Sequence, residues 1–224
     1  MLVRHDVQVW RIPLVGSEST RRRLAGLLSA PEQVRAARFR RETHRRRFEF
    51  AHGGLRSVLS AYLERSPEGL RFDAGPGGKP FLVRSPGDLE LCFNLSHSAD
   101  LALLAVTAGR EVGVDVERLD PKTETGRLAR RFFAPEERDA LERGEARRRL
   151  DDFFRVWTLK EAYLKAVGTG LGRSLSSFAV SPHGEEPRLL RSEAGDVETW
   201  RLECLEVVPE NGQNFAGALA LERL

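Results

Sequence analysis

Two stretches restrict this chain more than any others. Val112-Gly-Val-Asp-Val-Glu117 alternates with a period of two, the spacing of a strand. Asp115 and Glu117 therefore share the face opposite Val112, Val114 and Val116. Trp157-Thr-Leu-Lys-Glu-Ala-Tyr-Leu-Lys165 reads as a helix, and steps of four put Trp157, Glu161 and Lys165 on one face. A fold that laid this helix along that strand would gather three carboxylates and an ammonium. Such a group suits a hard divalent cation beside a phosphate, because magnesium prefers carboxylate and phosphate oxygens and keeps several waters. Asp115 and Glu117 by themselves would read as the solvated face of an edge strand. The helix carrying Glu161 and Lys165 tips the balance toward function.

The cations are unevenly chosen. Of 36 Lys and Arg residues only four are lysines, Lys79, Lys122, Lys160 and Lys165, which leaves 36 − 4 = 32 arginines. A lysine kept against such a bias marks a site that needs a compact ammonium rather than a planar guanidinium. Lys165 follows Glu161 by one turn. A plain surface pair there would contribute about 0.3–0.5 kcal/mol. In a functional pair, Glu161 holds metal or accepts a proton while Lys165 neutralises a phosphoryl oxygen. Lys122 fits no motif and reads as a surface residue.

Composition sets the frame. At 224 residues and 41% hydrophobic, one large domain or two small ones can bury an ordinary core. No run reaches the roughly 18 apolar residues of a membrane span. Met1-Leu-Val-Arg-His-Asp6 lacks the apolar stretch of a secretory signal, so a cytoplasmic location is expected. Cys92 and Cys204 read as reduced core thiols, not a disulfide framework. Net charge is +3, but a pI near 9.2 and clustered arginines point to an anionic partner.

Along the chain, residues 5–14 read as a strand, 18–28 as a helix, and 31–63 as a basic helical stretch with Arg35, Arg38, Arg40, Arg41 and Arg45–Arg47. Gly75–Pro80 is a turn-rich loop. Residues 89–95 alternate as a strand ending in Ser96-His97-Ser98, and 101–107 form a continuous apolar strand. Gly109-Arg110 should turn that strand, hairpin-like, into 112–117. Helices are expected at 123–131, 135–149 and 151–167, the last ended by Gly168, Gly170 and Gly172. Strands follow at 178–180, 199–207 and 215–221. A faint repeat suggests two related halves, 1–108 and 109–224, with a ligand cleft between them. Trp157 and Tyr163 read as core. Gly78-Lys79-Pro80 offers amides and a cation to a phosphate, and Ser96-His97 offers a hydroxyl and an imidazole. No G-x-S-x-G elbow is present, which argues against a hydrolase triad.

Taken in order, these motifs resemble the 4′-phosphopantetheinyl transferases of the larger, surfactin-synthetase-activating class. The resemblance rests on Pro31-Glu32…Arg35…Arg38-Phe39, Gly78-Lys79-Pro80, Phe93–Ser98, Val112–Glu117, Arg131-Phe132-Phe133, and Phe154…Trp157…Lys160-Glu161-Ala162…Lys165…Gly168…Gly170-Leu171. It implies an α+β monomer of two similar subdomains related by a pseudo-twofold, with the active site in the cleft between them. It implies transfer of the phosphopantetheine arm of coenzyme A to a serine of an acidic apo acyl or peptidyl carrier protein, with no nucleic acid or membrane partner. Asp115, Glu117 and Glu161 would hold magnesium, or manganese, on the diphosphate. Glu161 would help deprotonate the serine, and Lys165 would contact the transferred phosphate. Lys79, Pro80, Asn94, Ser96, His97 and Lys160 would bind the coenzyme, with His97 and Arg35 near its 3′-phosphate. Two readings rank below this. A nucleic-acid-binding module would use the Arg-rich helix but leaves the three acids unexplained. A metal-dependent nuclease would want a lysine beside the acids of one strand, where Glu117 is followed by Arg118-Leu119.

Overall fold

The computed structural model describes residues 7–223, so positions 5 and 6 of the first expected strand lie outside the described residues, as does the side chain of Leu171. Strand β1 (Val7–Pro13) leads into α1 (Glu18–Ala25), α2 (Ala30–Ala37) and α3 (Glu42–Leu63). A short hairpin of β2 (Phe72–Ala74) and β3 (Pro80–Leu82) precedes β4 (Leu91–Ser98), β5 (Leu101–Ala108) and β6 (Val112–Arg118). Then come α4 (Thr125–Phe132), α5 (Pro135–Arg143), α6 (Arg149–Val167), β7 (Phe178–Val180), β8 (Leu189–Ser192), β9 (Trp200–Leu205) and β10 (Phe215–Glu222). The helix expected over 135–149 stops at Arg143, and a 3-10 turn at Ala146–Arg148 redirects the chain into α6. Gly168 ends α6 in the left-handed region (φ +75°), its N–H bonding Leu164 O at 3.0 Å.

The helical stretch expected over 31–63 is two helices, not one. Glu32 pairs with His52 Nδ1 at 3.2 Å and with Arg56 Nε at 2.6 Å. In a straight helix Glu32 and Arg56 would stand about 36 Å apart. The break at 38–41 folds α2 back onto α3, so that Phe39 packs on Phe48 with ring centroids 5.4 Å apart.

Two three-stranded antiparallel sheets form the centre, in the orders β1-β5-β4 and β6-β10-β9. The orders correspond position by position: the first strand of each set lies at one edge and the last in the middle. The expected β5–β6 hairpin does not form. Both edges of β5 are already paired, to β1 and β4, so β6 joins β10 instead. Apolar side chains fill three layers. One lies between α3 and the first sheet (Ala102, Leu104, Val106 with Leu55 and Leu59). Another lies between α6 and the second sheet (Leu159, Ala162, Tyr163 with Ala218 and Ala220). Between the sheets, Leu101, Leu103 and Ala105 meet Val112, Val114, Val116 and Leu219. Strand β5 is thus buried on both faces, which is why its sequence is continuously apolar. Among the described residues no helix is long and apolar enough to cross a membrane.

The approach of α6 to β6 sets the site. A Cβ on Gly113 would lie 2.1 Å from Ala162 O and 2.3 Å from Ala166 N. Only a residue without a side chain lets the helix backbone come this close. Gly113→Ala should push α6 away and cost about 1–3 kcal/mol or more, read as a lower midpoint in urea unfolding.

Candidate active site

Strands β4 and β6 belong to different sheets yet lie against one another. Side chains of β4, spaced two apart, replace the missing backbone ladder. Val114 N donates to Asn94 Oδ1 (2.9 Å), Ser96 Oγ to Asp115 Oδ1 (2.9 Å), and Ser98 Oγ to Glu117 Oε2 (2.7 Å). Arg118 N in turn donates to Ser98 Oγ at 3.1 Å. This seam fixes the acids of β6 against the first half of the chain.

Helix α6 adds Glu161 and Lys165 from the other side. Lys165 Nζ reaches Asp115 Oδ1 at 2.6 Å and Ser96 Oγ at 2.8 Å, so its carboxylate partner is Asp115, not the helix neighbour Glu161. Asp115 is buried, and its Oδ2 has no hydrogen-bond partner. Burial, and then the negative charge of Asp115, push the Glu161 carboxyl above its ordinary range; Lys165 and Glu117 act in opposite senses on it. Glu117 is likewise raised, by burial first and by Asp115 after the opposing Ser98 bond. The three acids therefore feel one another. They are not a closed cage: among the described residues no group of three or more His, Cys, Asp or Glu stands gathered as metal ligands. An orphaned buried carboxylate oxygen and mutually raised acids nevertheless fit a hard cation, which would supply the charge that Lys165 alone provides.

Beside the acids opens a cavity of about 480 Å³. Glu161, Leu164 and Lys165 of α6 line it, together with Gly77–Pro80, Asn94 and Leu95 from the first half and Gly168, Gly170 and Arg173–Leu175 from the chain that follows the helix. The glycine loop sits tightly on the end of α6: a Cβ on Gly77 would lie 1.9 Å from Gly168 O. Lys79 Nζ donates to Val112 O and Ala166 O, each at 2.9 Å, and pairs with Glu111. Its ammonium ties loop, β6 and α6 together. Near the first-half side, Arg35 lies over the Phe48 ring (5.1 Å), and that ring stacks on His52 (4.0 Å). Desolvation, then the charges of Lys165, His52 and Arg47, hold the exposed His97 ring below its ordinary pKa. His97 thus feels Lys165 of the acidic cluster on one side and His52 and Arg47 of α3 on the other.

Comparison with known proteins decides the family. The 4′-phosphopantetheinyl transferase HetI of Nostoc sp. is 41% identical over 219 residues, covering 98% of this chain and 90% of the relative. The chain belongs to the 4′-phosphopantetheinyl transferase superfamily. The model of that superfamily matches residues 111–220, from the start of β6 into β10. A 4′-phosphopantetheinyl transferase of Bacillus subtilis is 29% identical, covering 83% of this chain and 84% of the relative. The 4′-phosphopantetheinyl transferase Sfp of Bacillus subtilis strain 168 is 28% identical, covering 75% and 72%.

In this superfamily member, Asp115, Glu117, Glu161, Lys165, Asn94 and Ser96 meet at one place, and Lys79 and Pro80 line the adjoining cavity. The hydroxyl of Ser96 is engaged by Asp115 and Lys165 at the base of the cluster, not by open space. Lys160 departs from expectation. It is fully buried, bonding Glu137 at 2.6 Å and Phe178 O at 2.7 Å, and does not reach the cavity. It points to the far side of α6, one residue from Glu161 and so about 100° around the helix. Burial opposes both charges, lowering Lys160 and raising Glu137, and each supplies the other's countercharge. The Arg bias therefore marked a structural lysine here. One residue escaped sequence reasoning: Ser98, which could have been found from its period-two spacing after Ser96. Lys160→Met should leave Glu137 charged and unpaired, costing about 3–5 kcal/mol. Thermal unfolding should show that loss, while the Michaelis constant for coenzyme A, measured on the folded fraction, stays unchanged.

Proposed function

We propose that the protein transfers the 4′-phosphopantetheine group of coenzyme A to a serine hydroxyl of an apo acyl or peptidyl carrier protein. The serine oxygen forms a bond to the phosphorus next to the pantetheine arm. The bond from that phosphorus to the bridging oxygen breaks, and adenosine 3′,5′-bisphosphate leaves. The observation that carries this reading is the meeting of Asp115, Glu117, Glu161 and Lys165 beside a cavity that residues of both halves line and that Glu161 and Lys165 reach. Phosphoryl-type transfer requires mainly alignment and charge neutralisation.

Asp115, Glu117 and Glu161 would hold a magnesium or manganese ion, which supplies charge neutralisation for the diphosphate. Glu161, with its raised proton affinity, is the group to accept the serine proton. Lys165 directs its ammonium at the transferring phosphate. Lys79, through its loop, and Pro80 face the nucleotide, and Arg35 and His97 take the 3′-phosphate. The two halves, 1–108 and 109–224, are similar subdomains about a pseudo-twofold; the matching strand orders and the long helix on each sheet support this. The enzyme works as a cytoplasmic monomer, and its arginine-rich surface suits an acidic carrier. A bare basic strip for nucleic acid has little support. Arg21, Arg45, Arg46 and Arg47 are paired with Glu49, Glu42, Glu18 and Asp100.

Incubation with coenzyme A, magnesium and an apo carrier should add one phosphopantetheine to the carrier in intact-mass analysis. No addition to any of several carriers would sink the reading. A second prediction separates stability from turnover. Because the Glu161 pKa is raised in the fold, its charge opposes folding at neutral pH without metal. Stability linked to this proton is present below the ordinary Glu range and lost as pH rises through the raised value. Glu161→Gln should accordingly stabilise the metal-free protein at pH 7, with the gain vanishing as pH falls through that window. Turnover should nonetheless drop about 10²-fold or more. Melting curves of both proteins from pH 4 to 8, beside the mass assay, check both halves of the statement.

A further inference from the structure

Each acid of β6 is held by one oxygen only. Ser96 and Ser98 stand two apart on β4, and Asp115 and Glu117 stand two apart on β6. The two pairs repeat one arrangement. Ser96 Oγ donates to Asp115 Oδ1 at 2.9 Å and accepts from Lys165 Nζ at 2.8 Å. Ser98 Oγ donates to Glu117 Oε2 at 2.7 Å and accepts from Arg118 N at 3.1 Å. A hydroxyl has a single proton to give. An ammonium donates into the first hydroxyl and a backbone N–H into the second, so each proton is directed at its carboxylate. Ser96 therefore has no proton left for a phosphate oxygen, which can only accept.

The other oxygens are left bare. Lys165 Nζ also reaches Asp115 at Oδ1, at 2.6 Å, so two donors share that one oxygen. Asp115 is 2% exposed, and its Oδ2 has no partner. Among the described residues Glu117 Oε1 accepts no hydrogen bond, and neither does Glu161. A seam whose only task were to join two sheets does not need acids. Asn94 makes the third stitch, to Val114 N, with a neutral amide. An acid serving only as a stitch would spread its donors over both oxygens, because a buried carboxylate oxygen without a partner is costly. The serines instead take one oxygen of each acid and leave the other free.

We propose that Ser96 and Ser98 are positioning residues for the divalent cation. They fix the rotation of the two carboxylates and reserve Asp115 Oδ2 and Glu117 Oε1 for the ion. Ser96 then acts on the cation site and not on the coenzyme. This rests on the metal set of the transfer reading above. Manganese binding, followed by electron paramagnetic resonance with coenzyme A present and no carrier, reads the site without turnover. Ser96→Ala and Ser98→Ala should each weaken manganese binding about 10–100-fold, the usual effect of removing a group that orients a metal ligand. Ser98→Thr keeps the hydroxyl and should recover most of the affinity. Calorimetric binding of coenzyme A in the presence of EDTA should be unchanged in both alanine variants. Where Ser96→Ala does not fold, Ser98→Ala carries the test. Wild-type manganese affinity in the alanine variants, beside its loss in Asp115→Asn, overturns the proposal and leaves the metal set standing. A fall in metal-free coenzyme affinity in Ser96→Ala as large as its fall in manganese affinity also overturns it, because that hydroxyl would then be a coenzyme ligand. A wild-type protein that takes up no manganese removes the metal set and this proposal together.

Discussion

Everything at the site depends on how closely α6 lies on β6. The side-chain-free position at Gly113 lets Ala162 and Ala166 rest on the strand backbone. Without that approach, Lys165 would stand a side-chain width further from Asp115, beyond hydrogen-bond reach. The contact is reinforced at the helix end, where Lys79 reaches Val112 O on the strand and Ala166 O on the helix from a loop of the other half. A single ammonium thus clamps three segments, and the tight fit of Gly77 on Gly168 seats the loop that carries it. Two glycines and one lysine set the geometry in which the charged residues work.

The second constraint is the seam between the sheets. Strands β4 and β6 meet without sharing a ladder, and Asn94, Ser96 and Ser98 supply the bonds a ladder would have made. Backbone pairing would have left side chains above and below the sheet. Side-chain pairing turns the hydroxyls of β4 onto the carboxylates of β6 instead. The same bonds that join the halves therefore orient the acids. Any movement of one sheet against the other is felt first at Asp115 and Glu117.

Much of this was legible in the sequence because it is periodic. The alternation from Val112 to Glu117 gave the strand and its faces, and the four-residue steps from Trp157 to Lys165 gave the helix face. The continuous apolar run of β5 announced a strand, and the structure shows why: it is buried between α3 and the second sheet. Non-local pairings were not legible. The β5–β6 turn looks like a hairpin locally, and only the occupation of both β5 edges sends β6 to β10. Helical periodicity ran through 38–41, and only the long-range pairing of Glu32 with Arg56 explains the break. Lys160 was misread because residue choice marks constraint, not its kind; a buried ion pair restricts a lysine as tightly as a phosphate does.

The acids at the cleft are short of positive charge, and that follows from the task proposed for them. Several other buried or half-buried charges are closed into pairs: Lys160 with Glu137, Arg56 with Glu32, Arg47 with Asp100. At the cleft, Asp115, Glu117 and Glu161 share the single ammonium of Lys165, one carboxylate oxygen of Asp115 has no partner, and burial with mutual repulsion raises the proton affinity of both glutamates. A fold optimised only for stability would have placed a second cation among these acids or replaced one of them. Holding the deficit open requires a frame that does not relax, and the glycine contact, the lysine clamp and the serine seam are that frame. The missing positive charge can then come from outside, with the ligand, so that binding relieves a repulsion stored in the free protein.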